Sequence, residues 1–116
     1  MKSKNFLLIL LFSIILKTQL SFADEAKMAK GLEIFNETAG CAACHVLKAA
    51  GSEGNIGPNL DTVEGLNYDS VMDIVTHGLG VMPAFGEDEI LTKDEIDIVS
   101  FYVSNSVNKW TIFWAI

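Results

Sequence analysis

Arginine is absent from this chain and lysine is scarce. Eight lysines stand against fifteen Asp and Glu, a formal net charge of −7 over 116 residues. Nucleic acid and anionic membrane surfaces both demand a positive face, so this balance argues against either as a partner. A hydrophobic run long enough to span a bilayer is also missing. The most apolar stretch, "FLLILLFSIIL" from Phe6 to Leu16, covers 11 residues, against the roughly 20 that a spanning helix needs. There is no internal repeat, no low-complexity linker and no sustained alternation of period two, which leaves an all-α domain as the expected class. Cysteine occurs only twice, as Cys41 and Cys44.

What is present begins with a leader. Lys2 and Lys4 precede the apolar run, and Ser21 and Ala23 occupy the small-residue positions of a cleavage site. Residues 1–23 therefore read as a cleaved secretory signal peptide, although Lys17, just after the run, is what an uncleaved anchor would also carry. Residues 24–107 form one domain, and 108–116 an apolar tail that ends in "WTIFWAI". Three lysines leave with the leader, so five remain against fifteen carboxylates, a net charge of −10. A domain this small has little interior of its own and often relies on a disulfide, a metal or a cofactor.

Three helices are expected. The first runs from about Glu25 to Thr38, with Met28, Leu32 and Phe35 along one stripe that also holds Gly31. The second covers Tyr68 to His77, with Val71, Ile74 and Val75 on one face and Gly78 as its stop. The third begins after Thr92, whose hydroxyl pairs with Glu95 in a capping box, and continues to about Val107. Residues 46–66 show no period and are rich in glycine. A loop that long is out of place in a compact domain unless it wraps something.

"GCAACHVLK", residues 40–48, supplies what is wrapped. A thioredoxin-like pair would follow a strand in a βαβ unit, and none is present. Zinc needs four ligands, and Cys41, Cys44, His45 and His77 would have to supply them all while the long loops stayed unexplained. A disulfide between Cys41 and Cys44 closes too small a ring to stabilise much. C-x-x-C-H is the attachment signature of covalent haem. Positions three apart on a helical turn share a face, so both thiols can bond along one haem edge while His45 projects towards the iron.

Four segments in order, "CAACH", "GPNL" at 57–60, "GVMPAF" at 80–85 and "EIDIVSFYV", resemble the class I c-type cytochromes of the small bacterial monohaem type. The resemblance implies the cytochrome c fold: all-α, three main helices and long loops wrapped around one haem c, held covalently through Cys41 and Cys44. It implies that Pro58 offers its carbonyl to the His45 imidazole and that Leu60 packs on the haem face. It also implies that Gly31 and Phe35 cross the last helix at Ile98 and Phe101. Met82 is the expected second axial ligand beside His45. Pro83 holds it extended and Gly78, Gly80 and Gly86 keep its loop permissive, whereas Met72 and Met28 sit at core spacings and His77 caps a helix end.

The expected function is a periplasmic single-haem electron carrier, not an enzyme, passing one electron between redox partners through His/Met-ligated haem c. The alternatives are a dedicated electron-transfer subunit of a periplasmic dehydrogenase, or a gas-binding haem protein if Met82 is not a stable ligand. Glu87, Asp88 and Glu89 follow the methionine segment, which places acidic charge near the haem edge and calls for redox proteins with basic docking faces. Membrane association is open only to the tail or to an uncleaved leader.

Overall fold

The computed structural model describes residues 2–107, and the expected tail at 108–116 lies outside them. Three α-helices, α1 (Lys2–Glu33), α2 (Tyr68–His77) and α3 (Lys93–Ser106), carry the architecture. The first begins far earlier than the Glu25 start expected from the sequence. No glycine or proline occurs between Lys2 and Lys30, so nothing local interrupts the helix over this stretch. Phe6 to Ile15 of this segment are exposed. Among the described residues, no helix is long and apolar enough to cross a membrane.

At its C-terminal end α1 widens into a π-turn, Ile34–Thr38, closed by the Ala39 amide on the Ile34 carbonyl at 2.9 Å. Ile34 and Phe35 are both buried there. The long segment after the cysteines contains a minimal hairpin that period-two counting does not detect. Strands β1 (Val46–Leu47) and β2 (Ser52–Glu53) pair antiparallel across a 3₁₀ turn at Lys48–Ala50. Ser52 Oγ accepts from the Leu47 amide at 2.9 Å and so fills the hairpin from inside.

Helices α2 and α3 start where expected, each on a reciprocal cap. Asn67 and Ser70 close a capping box on α2, and Thr92 and Glu95 close one on α3. The Glu95 carboxyl is held below its ordinary value, first by the Thr92 amide. Asp97 links all three helices: it accepts from the Tyr68 hydroxyl of α2 and pairs with Lys27 of α1 at 2.6 Å. Lys27 also lies over the Phe101 ring, 4.8 Å from its centroid.

The crossing of α1 and α3 keeps Ile98 as an expected partner but has Tyr102 in place of the expected Phe101. Gly31 lies against the side chain of Tyr102 and the carbonyl of Ile98, and the Phe35 ring meets Tyr102 at 6.0 Å. Phe101 is one residue, or about 100°, round the helix, and faces Lys27 instead. A methyl group at position 31 would collide with Tyr102 Cβ. Gly31→Ala is therefore expected to lower the unfolding free energy of the haem-loaded protein by about 2–3 kcal/mol, as measured by denaturant titration, with the absorption spectrum unchanged.

Candidate haem-binding site

The helices lean on a shared cavity of about 560 Å³. Val71, Ile74 and Val75 of α2, Val99 and Val103 of α3, and Phe35 form its apolar walls. All six residues expected at the site, Cys41, Cys44, His45, Pro58, Leu60 and Met82, line this one space.

The attachment turn starts at Gly40, whose φ of 67° is the left-handed conformation that favours glycine. Cys41–Ala43 follow as a 3₁₀ turn, closed by Cys44 N–H on the Cys41 carbonyl at 3.1 Å and His45 N–H on the same carbonyl at 2.9 Å. In a 3₁₀ turn, positions three apart eclipse one another, which puts the two thiols on one side. Desolvation pushes the Cys41 thiol up to about 11, with Cys44 adding a smaller push. A dithiol built for redox exchange has its thiol lowered, not raised.

His45 is fixed by what surrounds its ring. Nδ1 lies 2.8 Å from the Pro58 carbonyl oxygen. A carbonyl only accepts, so Nδ1 carries the hydrogen and Nε2 keeps its lone pair for a metal. The face of the ring is covered by Gly57, where a Cβ would stand 2.5 Å from Cε1 and 2.8 Å from Nδ1. Leu60 is tied back to β1 by its amide on the Val46 carbonyl at 3.0 Å.

Met82 sits on a tight two-residue turn. Its amide donates to the Leu79 carbonyl at 3.0 Å, and the Leu79 amide returns the bond at 3.3 Å. Gly80 takes the first corner with φ 61°, and Gly78 lets α2 end close against the Met82–Pro83 backbone. Met72 and Met28 pack on the core, as their spacing indicates. His77 is exposed and bonded to Glu87 through Nδ1 at 2.8 Å, with Asp73 3.7 Å from Nε2. That engagement removes it from any cysteine-based zinc set.

The acidic run does not border the cavity, contrary to what its place in the sequence suggests. Glu87 is turned towards His77, while Gly86 and Glu87 amides both donate to the Thr76 carbonyl, at 3.2 and 3.1 Å. The mouth is instead ringed by Ile56, Leu79 and Val81, which are 70 %, 70 % and 90 % exposed although they line the cavity. These residues escape sequence reading because isolated apolar side chains in polar loops carry no periodic signal. Phe85 belongs to "GVMPAF" but has no role that the sequence reveals, and it is a buried part of the cavity wall.

Residues 26–103 match the family described as cytochrome c oxidase, cbb3-type, subunit III. The chain belongs to this family of class I c-type cytochromes. The cytochrome is 33 % identical over 100 residues to chloroplastic cytochrome c6 of Chlamydomonas reinhardtii, a match that covers 78 % of this chain and 62 % of that protein. It is also similar to the crystal structure of the c-type cytochrome SorU from Sinorhizobium meliloti, with a TM-score of 0.65 and 45 % identity over 73 % of this chain and 95 % of that one. The cytochrome carries one covalently bound haem c, and Cys41 and Cys44 are its two cysteines in C-x-x-C-H spacing. The residues present fit that group: an apolar cavity, two thiols on one side, an imidazole with a free Nε2 and a thioether.

The His77–Glu87 bond pins the exit of the methionine loop to the end of α2. Glu87, with help from Asp73, raises the imidazole above its ordinary value near 6.5. A raised pKa stabilises fully below the unfolded value and is lost as pH rises through the folded one. His77→Gln should therefore lower the melting temperature slightly below about pH 6 and leave it unchanged by about pH 9. Thermal melts followed in the far-ultraviolet across that range check this.

Proposed function

We propose that this cytochrome is an exported single-haem electron carrier, with no substrate chemistry of its own, in which His45 and Met82 would ligate the haem iron. The observation that carries the reading is the lining of the cavity. His45 and Met82 border it together with both thiols, and none of the lining residues is a carboxylate or a lysine. The haem, when bound, supplies one-electron exchange at its iron. The chain supplies everything that tunes it. The Pro58 carbonyl holds the His45 ring in one tautomer and orientation. The soft, neutral thioether of Met82 favours the ferrous state and raises the potential. Val71, Val75, Val99 and Val103 exclude water, which restricts the polar rearrangement that a change of charge would otherwise provoke.

Export follows from the leader: residues 1–23 act as a signal that is removed after Ala23, which places the carrier in the periplasm. Its partners are redox proteins. The net charge of −10 on the mature chain steers the carrier towards basic faces over long range, while Ile56, Leu79 and Val81 make the close contact. An exposed apolar rim of this kind also suits a lasting complex, so the runner-up reading is a dedicated electron-transfer subunit of a periplasmic dehydrogenase. Co-purification of a stoichiometric enzyme partner from native extract would select it.

Two measurements test the reading. Met82→Ala is expected to abolish the far-red iron–thioether charge-transfer band, admit carbon monoxide to the ferrous form and lower the potential, while Met72→Ala changes none of these. Carbon monoxide binding by the unaltered ferrous protein would instead indicate a gas-binding role. For docking, Val81→Asp should slow bimolecular transfer from the native donor about tenfold, whereas Glu87→Gln changes it by less than about twofold.

A further inference from the structure

Gly54 belongs to none of the four motifs, yet its backbone touches the attachment turn itself. A Cβ at this position would stand 2.7 Å from the Ala42 carbonyl oxygen and 2.7 Å from both the carbonyl carbon and oxygen of Ala43. Those are the two residues between the cysteines. Gly54 does not have a positive φ, so no left-handed conformation calls for glycine there. The close backbone contact does. Gly51, three residues earlier, shows the opposite case: φ is 65° and nothing lies within 4 Å of its would-be Cβ. One glycine serves the turn and the other serves a contact.

The contact falls on backbone that has little freedom to retreat. Ala43 and Cys44 amides are bonded to the Gly40 and Cys41 carbonyls at 3.1 Å each. Just beyond Gly54, the Gly57 amide donates to the Cys44 carbonyl at 2.8 Å, Gly57 covers the His45 ring, and Pro58 accepts from Nδ1. Gly54, Gly57 and Pro58 thus back the turn and the imidazole from one short segment.

We propose that Gly54 is a positioning residue for haem ligation, its bare Cα setting how deeply the Cys41–Cys44 turn and His45 sit over the cavity. This deepens the carrier reading, since it rests on a haem held by those cysteines and ligated by His45 and Met82. A methyl group at position 54 would drive the turn outwards and carry both thiols and the imidazole with it.

The test compares Gly54→Ala with two matched variants of the full chain matured in the periplasm. Gly31→Ala introduces crowding against Tyr102 and Ile98 instead of the turn, and Gly51→Ala strains the same hairpin without touching it. Haem stain per polypeptide should fall roughly threefold in Gly54→Ala and stay at the parental ratio in the other two. Gly54→Ala protein that does mature should show a shifted midpoint potential and lose its far-red band at lower pH than the parent. A parental haem-to-polypeptide ratio in Gly54→Ala, whether or not total protein falls, overturns the proposal. So does an equal loss of ratio in Gly31→Ala, which would make the effect one of general folding. The ligand reading fails separately, if Met82→Ala retains the far-red band, and the stoichiometry arm is untouched by that result.

Discussion

The cavity between the helices sets the terms for everything else in this domain. Its volume is about 560 Å³, and the apolar side chains that line it would face water if nothing filled it. The helices are arranged accordingly. The valines of α2 and α3 face the cavity as well as each other, and Phe35 and Phe85 face it too. A filler of this importance is best made permanent, and two thioether bonds at a short, tightly hydrogen-bonded turn achieve that.

The same constraint explains how neutral the site is. Charge inside an apolar cavity is costly unless paired, and the groups that border it are suited to remaining uncharged. Cys41 and Cys44 are consumed in uncharged thioether links, the His45 Nδ1–H donates to a carbonyl and not to a carboxylate, and Met82 has no proton to lose. The cost of a change in oxidation state then falls on a single centre surrounded by fixed dipoles. Ionic groups are kept at the periphery, where Asp97 joins α1, α2 and α3 and Glu87 pins the methionine loop.

What can be read from the sequence is whatever depends on neighbours along the chain. Thr92 and Glu95 are three apart, so their capping box is visible in the order of residues alone, and so is the valine and isoleucine face of α2. That the six expected residues all line one cavity is legible because C-x-x-C-H and the proline and methionine segments are short and ordered. The rest depends on packing at a distance. Phe101 and Tyr102 are equally good aromatic neighbours for Gly31 by their spacing, and only the rotation of α3 against α1 decides between them. The hairpin at 46–53 has two residues per strand, too few for alternation to register. Glu87 resembles a haem-edge charge because it is close to Met82 in sequence, yet the backbone doubles back to Thr76 and carries it to His77.

That displacement bears on how a strongly acidic carrier can work with an apolar contact. Long-range attraction depends on total charge and is screened over about 10 Å at 0.1 M salt, so the carboxylates need not stand at the point of contact to guide an approach. At contact the requirements reverse, because a carboxylate trapped against a partner would have to shed its water. Ile56, Leu79 and Val81 have little hydration to lose, and they border the same cavity as His45 and Met82. Separating the two tasks lets encounter be quick and the contact dry. On the proposed docking, the partner would be selected by the shape of a small apolar rim, with Leu79 and Val81 beside the turn at Gly80 and Ile56 beside Gly57.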